Sequence, residues 1–171
     1  MNVHNLPNWS RTVVGAVKRT CSAQHGSEVA VNDPRWPRIE AVLLALRSNG
    51  RHAVRIVDAD CGAGTLLLHA LGHARHLGFT AVEGYGIDRS YLSIGRARLA
   101  ARRAADPALG VDFEVADMVA GLRNEQDVPA DIVICHNLAR DRRPEAERAV
   151  RNAGRIAISD DAACHVRGVA A

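Results

Sequence analysis

Aromatic side chains are scarce in this sequence, at 4% of 171 residues, so a folded core has to be filled mainly by Ala, Val, Leu and Ile. Lysine is almost missing: Lys18 is the only one, and arginine supplies the other cations behind a mild formal charge of +3. Arginines scattered over helix faces make a solvated surface, whereas a nucleic-acid footprint needs a clustered patch. The densest group, Arg96, Arg98, Arg102 and Arg103, falls on one predicted helix, so nucleic acid is not an expected partner. The four cysteines, Cys21, Cys61, Cys135 and Cys164, form neither a C-x-x-C pair nor a regular framework. That argues against a zinc ribbon or a disulfide scaffold and suits reduced, buried thiols. Apolar runs all fall short of the ~20 residues that cross a bilayer. A basic region followed by an apolar h-region is also missing at the N-terminus. No membrane partner and a cytoplasmic location are the resulting expectations.

A hydrophobic fraction of 47% beside 24% charged residues is ordinary for a globular protein, and the length suits one well-buried core. The chain is organised around residues 54–65, Val-Arg-Ile-Val-Asp-Ala-Asp-Cys-Gly-Ala-Gly-Thr. They read as a short apolar strand ending in Asp58, a tight glycine turn and the start of an apolar helix. Such a turn brings backbone N–H groups and a helix N-terminus close to a ligand, so a nucleotide-like ligand is the default reading.

Residues 1–37 read as an N-terminal extension or cap segment, with one short helix at 11–21 carrying Val13, Val14 and Val17 on one face. Residues 38–171 read as the main domain. Helices are expected at 39–46, 66–77, 90–105 and 144–150, and strands at 54–58, 82–88, 111–115, 130–135 and 155–159. Ser90 or Ser93 is the expected N-cap of the third of these helices, and Gly78 a C-cap of the second. A connector holding Gly121 and Pro129 precedes the fourth strand, a continuous apolar run of the kind found where both sheet faces are covered.

Alternating strand and helix predict an α/β fold, a three-layer Rossmann-like sandwich with a mostly parallel central sheet of about five strands. In such sheets ligands sit beyond the carboxyl ends of the strands, where the strand order reverses. Each predicted strand is followed by polar residues: Asp58 and Asp60, Asp88, Asp117, His136 and Asn137, Asp160 and Asp161. A dinucleotide fingerprint would place a third glycine at position 67, which is Leu67, so NAD is disfavoured.

Taken in order, Asp58-Ala59-Asp60-Cys61-Gly62-Ala63-Gly64, Gly86-Ile87-Asp88, Ala116-Asp117-Met118 and the strand from Asp131 to Leu138 resemble the class I S-adenosylmethionine (SAM) dependent methyltransferases. The resemblance covers roughly residues 39–161. It implies SAM as cofactor, held by Asp58, Asp60, Gly62, Gly64, Asp88, Asp117 and Met118. Asp88 would accept from the ribose hydroxyls, because a carboxylate takes two O–H groups at once. Asp117 would accept from the adenine amino group, with Met118 against the ring.

His136 is the candidate base near the methyl acceptor, since histidine suits proton removal near neutrality. The Asn-Pro-Pro-aromatic signature of amino-directed nucleic-acid methyltransferases is lacking at Asn137, which points to a small-molecule acceptor. No metal is implied. His69, His73 and His76 share a helix face, but no Glu completes a His-Glu-x-x-His pattern.

Two departures from the pattern stand out. Asp60 occupies the position of the motif's first glycine and brings a Cβ and a negative charge toward the SAM carboxylate. The family's sixth and seventh strands are reduced or missing, which leaves the fifth strand as an edge. The N-terminal segment, the C-terminal tail or a second copy in a homodimer is expected to cover it. A degenerate SAM-binding module acting through protein contacts is the alternative function that these departures keep open.

Overall fold

Strand 130–135 is buried at every residue, and this continuous apolar run lies inside the sheet with helices on both faces. The structure, a computed structural model, describes residues 28–104, 106–136, 144–160 and 165–166. In chain order the elements are α1 (Trp36–Ser48), β1 (Ala53–Asp58), α2 (Thr65–His76), β2 (Ala81–Asp88), α3 (Tyr91–Arg103), β3 (Leu109–Val115), α4 (Met118–Arg123), β4 (Ala130–Cys135), α5 (Pro144–Ala153), β5 (Gly154–Ser159) and β6 (His165–Val166). The expected helix at 11–21, together with Cys21, Asn137, Asp161 and Cys164, lies outside the described residues.

The strands form one sheet in the order β3-β2-β1-β4-β5-β6. The first five are parallel, as the alternation of strands and helices requires, and β6 is antiparallel to β5. Strand order reverses between β1 and β4, which puts the topological switch point beside Asp58.

Period-2 alternation along β1 feeds two cores. Val54 and Ile56 join Trp36, Ile39, Leu43, Leu67, Leu71 and Ile94 beneath α1, α2 and α3. Val57 points the other way, to Val119, Leu122, Val133 and Val150 beneath α4 and α5. Ala30 and Trp36 are 1% and 6% exposed members of the first core, so its packing runs without a gap across position 37.

Three differences from the sequence reading have local causes. Helix α1 begins at Trp36, earlier than expected, because Pro37 sits in its first turn, where proline costs no hydrogen bond. The connector at 118–123 is a helix, α4, whose N-cap Asp117 accepts from the Val119 N–H at 2.9 Å. Helix α5 runs straight into β5 at Gly154, where a Cβ would meet Val133 Cγ2 at 2.4 Å. The exposed edge of β5 is paired by the C-terminal tail, with Ile156 opposite Val166 and Ala157 opposite His165. Of the three covers expected for that edge, the tail is the one seen. Ser90 caps α3 as anticipated, its hydroxyl accepting from the Ser93 N–H at 3.2 Å.

Close packing between strands and helices makes two glycines opposite in their tolerance. At Gly86 an added Cβ would come within 2.5 Å of the Phe113 ring and 2.9 Å of Cys61 Sγ. At Gly72, inside α2, it would meet nothing within 4 Å. Gly86→Ala is expected to destabilise the protein by about 1–3 kcal/mol, and Gly72→Ala to stabilise it by about 0.4–1 kcal/mol. Urea unfolding midpoints of the two variants check the opposite signs.

Candidate functional site at the carboxyl edge

The turn after β1 is held by both neighbouring strands. Ala59 N–H donates to the Ile134 carbonyl of β4 at 2.8 Å, and Cys61 N–H donates to the Ile87 carbonyl of β2 at 2.9 Å. Gly64 N–H closes the turn on the Cys61 carbonyl at 2.8 Å and leads into α2. Gly64 has φ 73°, and a Cβ there would lie 2.9 Å from the Phe113 ring and 3.1 Å from Ala97, so conformation and space both demand glycine. Gly62 also has positive φ, 53°, but the space where its Cβ would stand is open.

Asp88, at the end of β2, ties the turn to the next helix. Its Oδ2 accepts from the Gly62 N–H at 2.9 Å and its Oδ1 from the Ser90 N–H at 2.7 Å. A carboxylate offers about four lone-pair sites, so each oxygen can still accept a second donor. Asp60 stands at the surface beside Asp88. Partial burial, the Asp88 charge and a hydrogen bond with the Asp88 side chain push the Asp60 carboxyl up, while His136 and Arg35 pull it down. The group expected to disturb the turn is thus harder to ionise than an ordinary aspartate.

Beneath the turn, Asp58 is 1% exposed. Burial pushes its carboxyl from an ordinary 3.8 up to about 7, against the opposing charge of Arg35. Arg35 is itself buried, forks onto Asp33 with Nε to Oδ1 at 2.9 Å and Nη2 to Oδ2 at 2.8 Å, and donates from Nη1 to the Cys135 carbonyl at 3.2 Å. Burial works against ionising Asp33, yet these hydrogen bonds hold its carboxyl below the ordinary range. Arg38 adds a bond to the Ser159 carbonyl.

His136 follows β4 and is 46% exposed at its side chain; its Nδ1 lies 2.8 Å from Asp160 Oδ2 at the end of β5. Asp160 Oδ1 accepts from the Ser159 hydroxyl at 3.2 Å. On the other flank, Ala116 N–H donates to the Asp88 carbonyl at 3.1 Å, which brings Asp117 and Met118 beside Asp88. Asp117 also pairs with Arg89, and Met118 is half-buried against the second core. Burial pushes the thiols of Cys61 and Cys135 up, the latter to about 12, so neither is a nucleophile near neutrality.

All eight residues singled out in the sequence therefore stand on one edge of the sheet: Asp58, Asp60, Gly62 and Gly64 in the centre, Asp88, Asp117 and Met118 on one flank, His136 on the other. Sequence reasoning missed Arg35 and Asp33. Their Asp-x-Arg spacing is a local signal for the fork between them, but the bond to Cys135 joins positions 100 residues apart. His69 and His73, weighed as metal ligands, pack edge-on against Trp36, with ring centroids 4.3 and 5.1 Å away. His73 Nε2 also lies 3.4 Å from Glu40. In the arginine cluster, Arg98 is spent on the Phe113 carbonyl at 2.6 Å. Among the described residues no helix is long and apolar enough to cross a membrane.

Neither a protein-family model nor a curated protein matches the sequence. Solved structures do match in fold. Magnesium protoporphyrin IX methyltransferase (ChlM) from Synechocystis PCC 6803 with bound SAM is 18% identical at a TM-score of 0.52, covering 91% of this chain and 71% of that one. The same enzyme with bound S-adenosylhomocysteine (SAH) gives 19% and 0.51, covering 85% and 61%. The bifunctional kinase-methyltransferase WbdD gives 17% and 0.53, covering 82% of this chain and 29% of WbdD. The chain thus spans about three fifths of the SAH-bound ChlM and less than a third of WbdD. Its fold is the Rossmann-like fold of the class I SAM-dependent methyltransferases.

The buried Asp58 carboxyl makes stability depend on pH. Its value is raised in the folded state, so the folded protein holds this proton more tightly than the unfolded chain. The contribution is fully present below 3.8 and lost as pH rises through about 7. Asp58→Asn keeps an acceptor for the Asp60 N–H and removes the titration. The variant should gain stability relative to the parent between these two values and hold that gain above them. Urea unfolding of both proteins across this range checks the sign.

Proposed function

We propose that the chain is a SAM-dependent methyltransferase acting on a small-molecule acceptor. The observation that carries the reading is the pairing of Gly62 with Asp88. An acceptor-only carboxylate, with lone pairs to spare, is fixed beside a glycine whose missing side chain leaves open space. This fits a ribose that donates two hydroxyls and lies close against the backbone. ChlM, the fold relative above, binds SAM and SAH, in keeping with the same cofactor here.

In this reading the turn residues Asp60, Gly62 and Gly64 hold the amino-acid portion, with the buried Asp58 supporting them from beneath, Asp88 takes the ribose, and Asp117 with Met118 takes the adenine. SAM supplies a methyl group already activated on a sulfonium, so holding the acceptor in line does most of the work. His136, exposed at the end of β4, stands on the acceptor side. The setting is cytoplasmic, in keeping with Cys61 and Cys135 as free, buried thiols. Residues 1–37 serve as an extension or cap on the domain at 38–171. The N-terminal part or a second copy of the chain provides any further enclosure.

Asp60 supports the second reading, a degenerate module that holds SAM or SAH without turnover. It places a carboxyl beside Asp88 where the pattern has glycine. Calorimetry with SAM and with SAH tests the cofactor site that both readings share, and turnover of SAM against a panel of acceptors separates them. Asp88→Ala removes charge-assisted hydrogen bonds of about 1.5–3 kcal/mol each and should weaken binding at least ~10-fold. Asp60→Gly should tighten binding several-fold. Heat with SAM that survives Asp88→Ala unchanged would move the ribose site elsewhere, and no heat with either ligand sinks the enzyme reading.

A further inference from the structure

The histidine on the acceptor side has a partner that the sequence pattern does not assign. His136 Nδ1 and Asp160 Oδ2 are 2.8 Å apart, and the Ser159 hydroxyl steadies the other carboxylate oxygen at 3.2 Å. The two residues end adjacent parallel strands: Cys135 pairs with Ser159, and His136 and Asp160 are the next residue of each chain. The sheet register therefore sets the separation, and no loop has to bring them together. Asp160 is only 18% exposed at its side chain, whereas His136 is 46% exposed. The carboxylate is thus held in the protein while one side of the ring faces outward.

A neutral imidazole has one N–H and one bare nitrogen, and the hydrogen bond at one nitrogen decides the state of the other. A carboxylate only accepts, so the ring must present Nδ1–H to Asp160, and Nε2 is left with its lone pair. Three other charged groups surround the ring or its partner. Asp60 comes from the turn after β1, and Asp33 and Arg35 from the segment before α1. Of the carboxylates, Asp160 is the one within hydrogen-bond reach of Nδ1.

We propose that Asp160 is a positioning residue that fixes His136 in the Nδ1–H form, so that Nε2 is the atom which takes the acceptor's proton. The proposal rests on the methyltransferase reading for its chemistry but not for its geometry. An acceptor X–H bonds through its lone pair to the methyl carbon, and the carbon–sulfur bond breaks with its electron pair left on sulfur. The sulfonium's positive charge is thereby lost, and the proton from X passes to Nε2. Asp160 stabilises the imidazolium that results, and the exposed ring returns the proton to water. His136 is in this account the catalytic base, and Asp160 acts through it.

Nitrogen NMR of the imidazole at alkaline pH reports the tautomer without any ligand, with the His136 signals assigned by their loss in His136→Gln. The expected result is the Nδ1–H form in the parent protein and a shift to the Nε2–H form, usual for free histidine, in Asp160→Ala, which removes the acceptor altogether. Diethyl pyrocarbonate, which attacks a bare ring nitrogen, should label Nε2 in the parent and lose that preference in the variant, as read by mass spectrometry. An Nε2–H form in the parent overturns the proposal even if the variant fails to fold. So does a tautomer that Asp160→Ala leaves unchanged. Calorimetry with SAH on the parent protein keeps the two ideas apart. The Nδ1–H form in the parent and its loss in Asp160→Ala speak for the dyad whatever SAH does, whereas that same pair of results with no SAH binding removes the methyltransferase reading alone.

Discussion

The turn after β1 bonds to a strand on each side of it, and the site follows from that constraint. Ala59 is anchored to β4 and Cys61 to β2, so the chain cannot leave β1 without spanning the switch point of the sheet. Gly64 then has to pass under Phe113 and Ala97 to enter α2, which glycine alone allows at φ 73°. With the turn pinned at both ends, the Gly62 N–H meets Asp88 and the open side of Gly62 faces outward. A rigid backbone cradle beside a fixed carboxylate is a consequence of strand order.

Charge has been buried beneath this cradle, and it is arranged to be compensated. A buried carboxylate or guanidinium costs several kcal/mol unless its partners are close and well aligned. Arg35 meets that demand with a two-pronged contact to Asp33 and a bond to the Cys135 carbonyl. Asp58 meets it less fully, and its carboxyl is displaced to about 7. The Arg35 bonds also join the segment before α1 to the end of β4, while Arg38 reaches the end of β5. The start of α1 is thereby fixed to the same edge that carries the acids. Breaking one member would leave the others as unpaired buried charge, so the cluster holds together as a unit.

Much of this was legible in the sequence, for reasons that differ by element. Strand β4 was read at its observed bounds because an uninterrupted apolar run of six residues admits few other placements. The gathering of the eight candidate residues at one edge was legible because parallel strands must deliver their last residues to one edge. Helix α4 was missed because six residues are too few to show a helical period, and its one signal, Asp117, was read for a ligand role without its role as a cap. Arg35 was missed because a bond across 100 residues leaves no trace in local spacing. Strand β6 has two residues, below what any periodicity can show, yet the need to cover β5 anticipated it.

Asp60 is where these lines meet. In the sequence it is a defect, a charged residue at a glycine position. In the structure its carboxyl leans on Asp88 and resists ionising, while His136 and Arg35 pull the other way. A group so balanced sits between Asp88 on one flank of the edge and the pair of His136 and Asp160 on the other. When its proton is present it can donate to Asp88 and leaves the turn neutral. When the proton is gone, two carboxylates face each other across the Gly62 backbone, and repulsion between them falls on the atoms that would receive a ligand. The residue that departs most from the family pattern is therefore also the one tied by charge to neighbours on both flanks of that edge.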